Sequence, residues 1–148
     1  MKRAIELAKK GIGYTNPNPI VGCVVVKNDK IIAEGYHKKI GGFHAERNAL
    51  TNCKEDTTGA ELYVTLEPCC HYGKTPPCTE IIIEKKIKKV YVGSMDPNKL
   101  VEGKGVKILK EHGIEVKCGI LKDECDKLNE VFFHYITNKT PYVVMKYA

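Results

Sequence analysis

One histidine, one glutamate and two cysteines stand apart in this chain by type and spacing. His44-Ala45-Glu46 is followed further along by Glu67-Pro68-Cys69-Cys70-His71-Tyr72-Gly73-Lys74-Thr75-Pro76-Pro77-Cys78. An imidazole and two thiolates, here His44, Cys69 and Cys78, give a zinc ion three ligands. Tetrahedral zinc with only three protein ligands keeps its fourth position for water, which is the catalytic rather than the structural arrangement. Glu46, two residues after the histidine, is the candidate catalytic residue, a carboxyl placed to move that water's protons. Cys70 and His71 lie between the two cysteines and are the candidates for a fourth ligand, which would close the site into a structural one. Consecutive side chains point apart, which argues against Cys69 and Cys70 reaching one metal. Glu67 is read as a residue that orients its loop through hydrogen bonds.

These groups must be delivered by the elements around them. Apolar positions Ala4, Ile5, Leu7 and Ala8 predict an amphipathic helix over residues 2–10. Glycines, asparagines and prolines break it over 11–19. A β-branched run over 20–26 and a second strand over 30–36, joined at Asn28-Asp29, predict a hairpin. Residues two apart do not share a face of a regular helix. His44 and Glu46 therefore converge only if His44 opens a helix, expected to run to Cys53. A third strand over 61–66 ends at Pro68-Cys69, and ligands of open α/β sheets bind at such strand ends. Pro76-Pro77 starts a helix to Lys86. Cys78 in its first turn meets exposed amides that favour a thiolate. Strands over 89–93 and 114–117, a helix over 103–112 and a last helix over 124–135 complete the pattern. Strand–helix alternation in the second half predicts parallel neighbours with right-handed crossovers. The stretch from Pro141 to Ala148 reads as one more strand.

The 148 residues suit one domain with a sizeable core. No apolar run approaches the roughly 20 residues that span a membrane, and the first ten residues lack a signal-peptide core. Seven cysteines, an odd number without a secretion signal, point to a reducing cytoplasm and to thiols used as ligands or core residues. Cys23 sits in a valine run and reads as core; Cys53, Cys118 and Cys125 read as structural. The charge of +6 is spread over lysines interleaved with acids, which describes a solvated surface, attractive to a small phosphorylated substrate, rather than a nucleic-acid-binding patch.

A histidine, a glutamate two on, then Pro-Cys and a second cysteine is the pattern of zinc-dependent nucleobase deaminases. Asn18-Pro19-Ile20-Val21-Gly22, His44-Ala45-Glu46, Thr65-Leu66-Glu67-Pro68-Cys69, the insert through Gly73-Lys74-Thr75-Pro76-Pro77-Cys78, and Asp96-Pro97-Asn98 extend it. Together they resemble the deaminase domain of the bifunctional pyrimidine deaminase/reductases of bacterial riboflavin biosynthesis, over essentially the whole chain. The eight residues between the two cysteines are the specific part of the resemblance.

The resemblance implies an α/β fold, the three-layer α/β/α cytidine-deaminase-like sandwich with a mixed five-stranded sheet. It implies a substrate, 2,5-diamino-6-ribosylamino-4(3H)-pyrimidinone 5′-phosphate, whose 2-amino group leaves as ammonia. It assigns zinc to His44, Cys69 and Cys78, the proton shuttle to Glu46, and substrate contacts to Asn18, His37, Lys74 and Asn98. A lysine suits a phosphate as a point charge, and an asparagine offers donor and acceptor to a heterocycle edge. Residues 1–140 then form the deaminase domain, and residues 141–148 begin a reductase domain that uses NADPH and is otherwise outside this chain. A homo-oligomer is the expected assembly. The chain departs from the pattern at Cys70, where a hydroxyl residue is usual, at Phe43 and Arg47 beside the histidine motif, and at Lys99 after Asn98.

Two other classes compete. A nucleic-acid-editing deaminase wants a basic patch with stacking aromatics and salt-dependent binding, and the chain has no tryptophan and no such cluster. A non-catalytic zinc module used for interaction would hold metal without releasing ammonia.

Overall fold

The computed structural model describes residues 1–99 and 101–147. Helix α1 (Lys2–Lys9) leads into the hairpin β1 (Gly22–Lys27) and β2 (Lys30–Tyr36). Asn28 and Asp29 both take positive φ, 51° and 60°, in a two-residue loop. That geometry matches the right-handed twist of the flanking strands. Then follow α2 (Ala45–Asn52), β3 (Glu61–Leu66), α3 (Cys78–Glu84), β4 (Lys89–Ser94), α4 (Lys104–Glu111) and β5 (Glu115–Cys118). Helices α5 (Lys122–Leu128) and α6 (Glu130–Asn138) follow the sheet.

The sheet order is β2-β1-β3-β4-β5. β1 runs antiparallel to both β2 and β3, whereas β3, β4 and β5 are parallel. The sheet is thus mixed and five-stranded, as expected, and parallel where helices alternate with strands. Alternate residues of β1 face opposite layers. Cys23 and Val25 join the larger core with Leu62, Val64, Val90 and Val92, under Ala49 and Leu50 of α2, Ile82 of α3 and Leu109 of α4. Val24 packs on the other face against Ala4 and Leu7 of α1. Helix α5 contacts α1 and β4, which completes a three-layer sandwich.

Two boundaries differ from the sequence expectation, and one side chain explains both. The helix expected over 124–135 is broken at Asn129, whose backbone leaves helical geometry at φ −124°, ψ 25°. The strand expected from Ile20 starts at Gly22. Asn129 Oδ1 accepts the Ile20 N–H at 2.8 Å, and its Nδ2 donates to the Ile20 carbonyl at 2.9 Å. A buried amide thus supplies both bonds that a neighbouring strand would have given Ile20, and it does so from the junction of α5 and α6.

No strand forms from Pro141 among the described residues. Residues 141–147 are exposed and carry no strand, and residue 148 lies outside the described residues. A strand needs a partner for its backbone groups, and none of the described strands pairs with this segment. Its approach is held instead at α6, where His134 Nε2 lies 3.0 Å from Thr140 Oγ1 and its ring meets Tyr142 edge-on at 5.4 Å.

Candidate active site

Three segments converge at the C-terminal end of β3. The first is the start of α2. His44 is its N-cap, extended at φ −69°, ψ 167°, and Glu46 lies in the first turn. The helix end sits directly on β2, because Gly35 has no side chain: a Cβ there would come within 2.4 Å of the Ala45 carbonyl oxygen. Asn48 Nδ2 donates to the Tyr36 carbonyl at 2.8 Å and to the Phe43 carbonyl at 3.0 Å, fixing the residue before His44. The opening of the helix is therefore what lets residues 44 and 46 face one point, as the spacing argument required.

The second segment is the strand end itself. Pro68 and Cys69 follow β3, and Gly105 in the first turn of α4 lets that helix approach. A Cβ on Gly105 would lie 2.1 Å from the Pro68 carbonyl oxygen. Glu67 is buried and ties this junction together. Its Oε2 accepts the N–H of Gly103 at 3.0 Å and that of Asp96 at 3.4 Å, and its Oε1 accepts the N–H of Val106 at 3.2 Å. A carboxylate on the first amides of α4 also suits the helix dipole. The orienting role read for Glu67 is the one its geometry supports.

The third segment is the start of α3, carrying Cys78. His44 Nδ1 lies 3.4 Å from Cys69 Sγ and 3.6 Å from Cys78 Sγ. All three potential ligand atoms fall within 4.8 Å of one another. In a tetrahedral zinc centre with ordinary Zn–N and Zn–S bond lengths, nitrogen and sulfur sit about 3.6 Å apart. The two nitrogen–sulfur separations thus fit zinc. Among the described residues no fourth histidine, cysteine or carboxylate joins the group, so neither Cys70 nor His71 closes it.

The electrostatics are those of a site built for an anionic sulfur. The Cys78 thiol, the His44 ring and the Cys78 amide, whose N–H reaches Cys69 Sγ at 3.3 Å, pull the Cys69 thiol down to about 4. The hydrogen bond to Cys69 and burial raise the Cys78 thiol, and the bond to Cys69 raises His44. The first amide of α3 thus donates to the Cys69 sulfur. Glu46 is 3% exposed. Burial first, and then the Cys69 sulfur, push its carboxyl up to about 7, where a group exchanges protons readily at neutral pH.

A cleft of about 420 Å³ opens beside these groups. Asn18, His37, Lys74 and Asn98 all line it, together with His44, Glu46 and Cys69. Asn18 is set by a turn in which its N–H meets the Thr15 carbonyl at 2.8 Å. His37 is buried with its ring edge-on to His44 at 5.3 Å. Its Nδ1 lies 3.0 Å from the Phe43 carbonyl. A carbonyl only accepts, so Nδ1 carries the proton and Nε2, 3.4 Å from the Asn18 amide nitrogen, is the acceptor. Burial lowers the His37 pKa. Lys74 is exposed on the loop between the cysteines, and Asn98 follows a turn closed by its N–H on Asp96 Oδ1 at 2.8 Å. Sequence reasoning missed Phe132 on α6, which lines the cleft from the far end of the chain. A phenylalanine on an amphipathic helix gives no signal that it faces a site.

Fold and site together define a hydrolytic deaminase-type domain, a three-layer α/β/α sandwich with a candidate His-Cys-Cys zinc site and a buried glutamate beside it. Residues 1–94 match the cytidine and deoxycytidylate deaminase zinc-binding region. The chain belongs to that family and, within it, to the diaminohydroxyphosphoribosylaminopyrimidine deaminases: it is 51% identical over 141 residues to the enzyme of that name from Buchnera aphidicola subsp. Schizaphis graminum, covering 95% of this chain and 96% of that one. It is 66% identical over all 148 residues to the riboflavin biosynthesis protein RibD of Actinobacillus pleuropneumoniae, but covers only 39% of it. The crystal structure of a diaminohydroxyphosphoribosylaminopyrimidine deaminase/5-amino-6-(5-phosphoribosylamino)uracil reductase from Thermotoga maritima superposes with a TM-score of 0.92 at 57% identity, over 96% of this chain and 41% of that one. The chain thus spans about 40% of the length of these longer relatives. Among the described residues no helix is long and apolar enough to cross a membrane.

Proposed function

We propose that this chain catalyses the hydrolytic deamination of 2,5-diamino-6-ribosylamino-4(3H)-pyrimidinone 5′-phosphate at its 2-amino group, a step of riboflavin biosynthesis. The observation that carries the reading is His44 Nδ1 facing two cysteine sulfurs at 3.4 and 3.6 Å, with buried Glu46 beside them at the end of a small cleft. His44, Cys69 and Cys78 hold the zinc. When bound, zinc supplies activation of water as a nucleophile near neutral pH.

The reaction replaces an exocyclic C–N bond by C=O, so the water must lose its protons and the ring nitrogen and the departing ammonia must gain them. Glu46 carries those protons: its carboxyl is buried, balanced between its two forms near neutrality, and close to the metal ligands. Asn18 and Asn98 offer donors and acceptors to the heterocycle and ribose. His37 presents its Nε2 lone pair to the cleft. Lys74, on an exposed loop with its charge free to turn inward, meets the 5′-phosphate. A cleft of about 420 Å³ matches a small-molecule ligand, which favours the free aminopyrimidine over a nucleic-acid strand.

A cytoplasmic location, a homo-oligomeric assembly and a link from residue 141 into an NADPH-dependent reductase domain belong to the same proposal. The chain's 39% coverage of the Actinobacillus relative supports the last.

The test is ammonia release from the diaminopyrimidine phosphate by zinc-loaded protein, with tRNA and cytidine as competing substrates. Glu46→Gln is expected to keep its zinc and lose ammonia release by about 10²–10⁴-fold, the range for losing a general acid–base. Turnover by Glu46→Gln at the parent rate, or activity on tRNA alone, overturns the reading.

A further inference from the structure

Arg47 is one of the residues by which this chain departs from the pattern it resembles, and its surroundings give it a task. It lies on α2 directly after Glu46. Its Nη2 donates to the Pro77 carbonyl at 3.2 Å. Its guanidinium carbon stands 6.0 Å from the centre of the Phe43 ring. Phe43 precedes His44 and Pro77 precedes Cys78, so one side chain touches the residue immediately before each of two zinc ligands. Those ligands come from separate segments, whose helices α2 and α3 pack on one another.

The arginine is held there against its own solvation. Its Nε is buried and has no hydrogen-bond partner among the described residues, a condition that native structures rarely leave unexplained. A solvated surface arginine would turn that N–H to water. A guanidinium, always protonated and planar, joins a carbonyl to an aromatic face in one fixed geometry, which a lysine does not do.

We infer that Arg47 is a positioning residue of the metal centre, bracing the His44 and Cys78 segments so that their ligand atoms stay at zinc-binding distance. The inference rests on the zinc site proposed above. It concerns retention and geometry of the metal, not contact with the substrate. Groups that orient metal ligands without touching the metal change affinity by about 10–100-fold when removed.

The experiment compares zinc release from the purified full chain, Arg47→Gln and Arg47→Lys, by transfer to a chromogenic chelator, and records the visible spectrum of each protein with cobalt in place of zinc. Thermal melting of each variant reports whether its fold is intact at the assay temperature. Arg47→Gln is expected to release zinc about tenfold faster, with altered cobalt d–d and sulfur-to-cobalt bands. Arg47→Lys, which keeps a charge over Phe43 but loses the fork, should fall between it and the parent. Release within twofold of the parent together with superimposable cobalt spectra would overturn the inference. Should Arg47→Gln fail to fold, the Lys variant decides alone: faster release supports the brace and parental release refutes it. A parent protein that takes up no zinc would instead refute the metal site itself.

Discussion

Replacing Asn129 by alanine removes a buried amide that joins the two ends of the chain around the cleft. The side chain is 4% exposed, and its two bonds to Ile20 are 2.8 and 2.9 Å long. Each such bond contributes about 1 kcal/mol net, and a backbone group left buried without a partner costs about 1–3 kcal/mol. Ile20 is half-buried, so water reaches part of what alanine exposes, and the sum comes to about 3 kcal/mol. In a domain of this size each kcal/mol moves the melting temperature by about 2–4 °C, so a fall of about 6–12 °C is expected. Circular dichroism melts at fixed zinc concentration measure it. Asn129→Asp keeps an acceptor for the Ile20 N–H but sets a carboxylate against the Ile20 carbonyl, and should melt no higher than the alanine variant. The same clamp sets Asn18, two residues before Ile20, against Phe132, three residues beyond Asn129, and both line the cleft. KM for the aminopyrimidine phosphate should therefore rise more than kcat falls. An alanine variant melting within about 2 °C of the parent would show that Ile20 finds equivalent partners elsewhere, and the reasoning would fail.

Gly105→Ala replaces a helical glycine and would ordinarily gain up to about 1 kcal/mol. Here the new methyl would meet the Pro68 carbonyl oxygen, backbone against helix, so a net loss of about 1–3 kcal/mol and slower turnover are expected; a chemical denaturation midpoint above the parent's would contradict it. Glu67→Gln keeps the size of the side chain but weakens its bonds to the amides of Gly103, Asp96 and Val106, and a loss of about 1–3 kcal/mol with zinc content unchanged should be read from denaturation and metal analysis. Burial holds His37 below its ordinary value of 6.5, so the unfolded chain binds a proton there that the folded chain resists. Its contribution to stability is present above pH 6.5 and is lost as the pH falls below that value through the lowered pKa of the folded state. His37→Asn should flatten that part of the stability–pH curve, and an unchanged slope on the acid side of pH 6.5 would count against it.

Much of the site was legible before any coordinates, because its chemistry demands particular residue types at short range. Only nitrogen and sulfur donors such as His44, Cys69 and Cys78 build this kind of zinc centre, and Pro76-Pro77 announces the helix that carries the last of them. The β-branched run of β1, the Asn28-Asp29 turn and the strand–helix alternation after residue 60 gave the hairpin and the parallel neighbours, since local backbone preference and apolar spacing agree there; the mixed five-stranded sheet followed from the family resemblance. Boundaries failed where a distant side chain competes for local backbone groups. Asn129 takes both groups of Ile20 from 109 residues away, shortens a strand and splits a helix, and neither segment carries a mark of the other. The stretch after Pro141 is apolar and β-prone by composition, but a strand exists only with a neighbour.

Residue types and spacing pointed to the candidate ligands and the candidate acid–base group, because each follows from chemistry local to a few residues, and the motifs together carried the resemblance that implied the fold class. Tertiary structure alone decided which amides Glu67 holds, that Phe132 joins the cleft, and that Arg47 reaches the residues before two of the candidate ligands. Those facts depend on which groups approach within a few ångströms after the chain has closed on itself. Burial and hydrogen-bond partners, which set a pKa or a role, are properties of that closed arrangement.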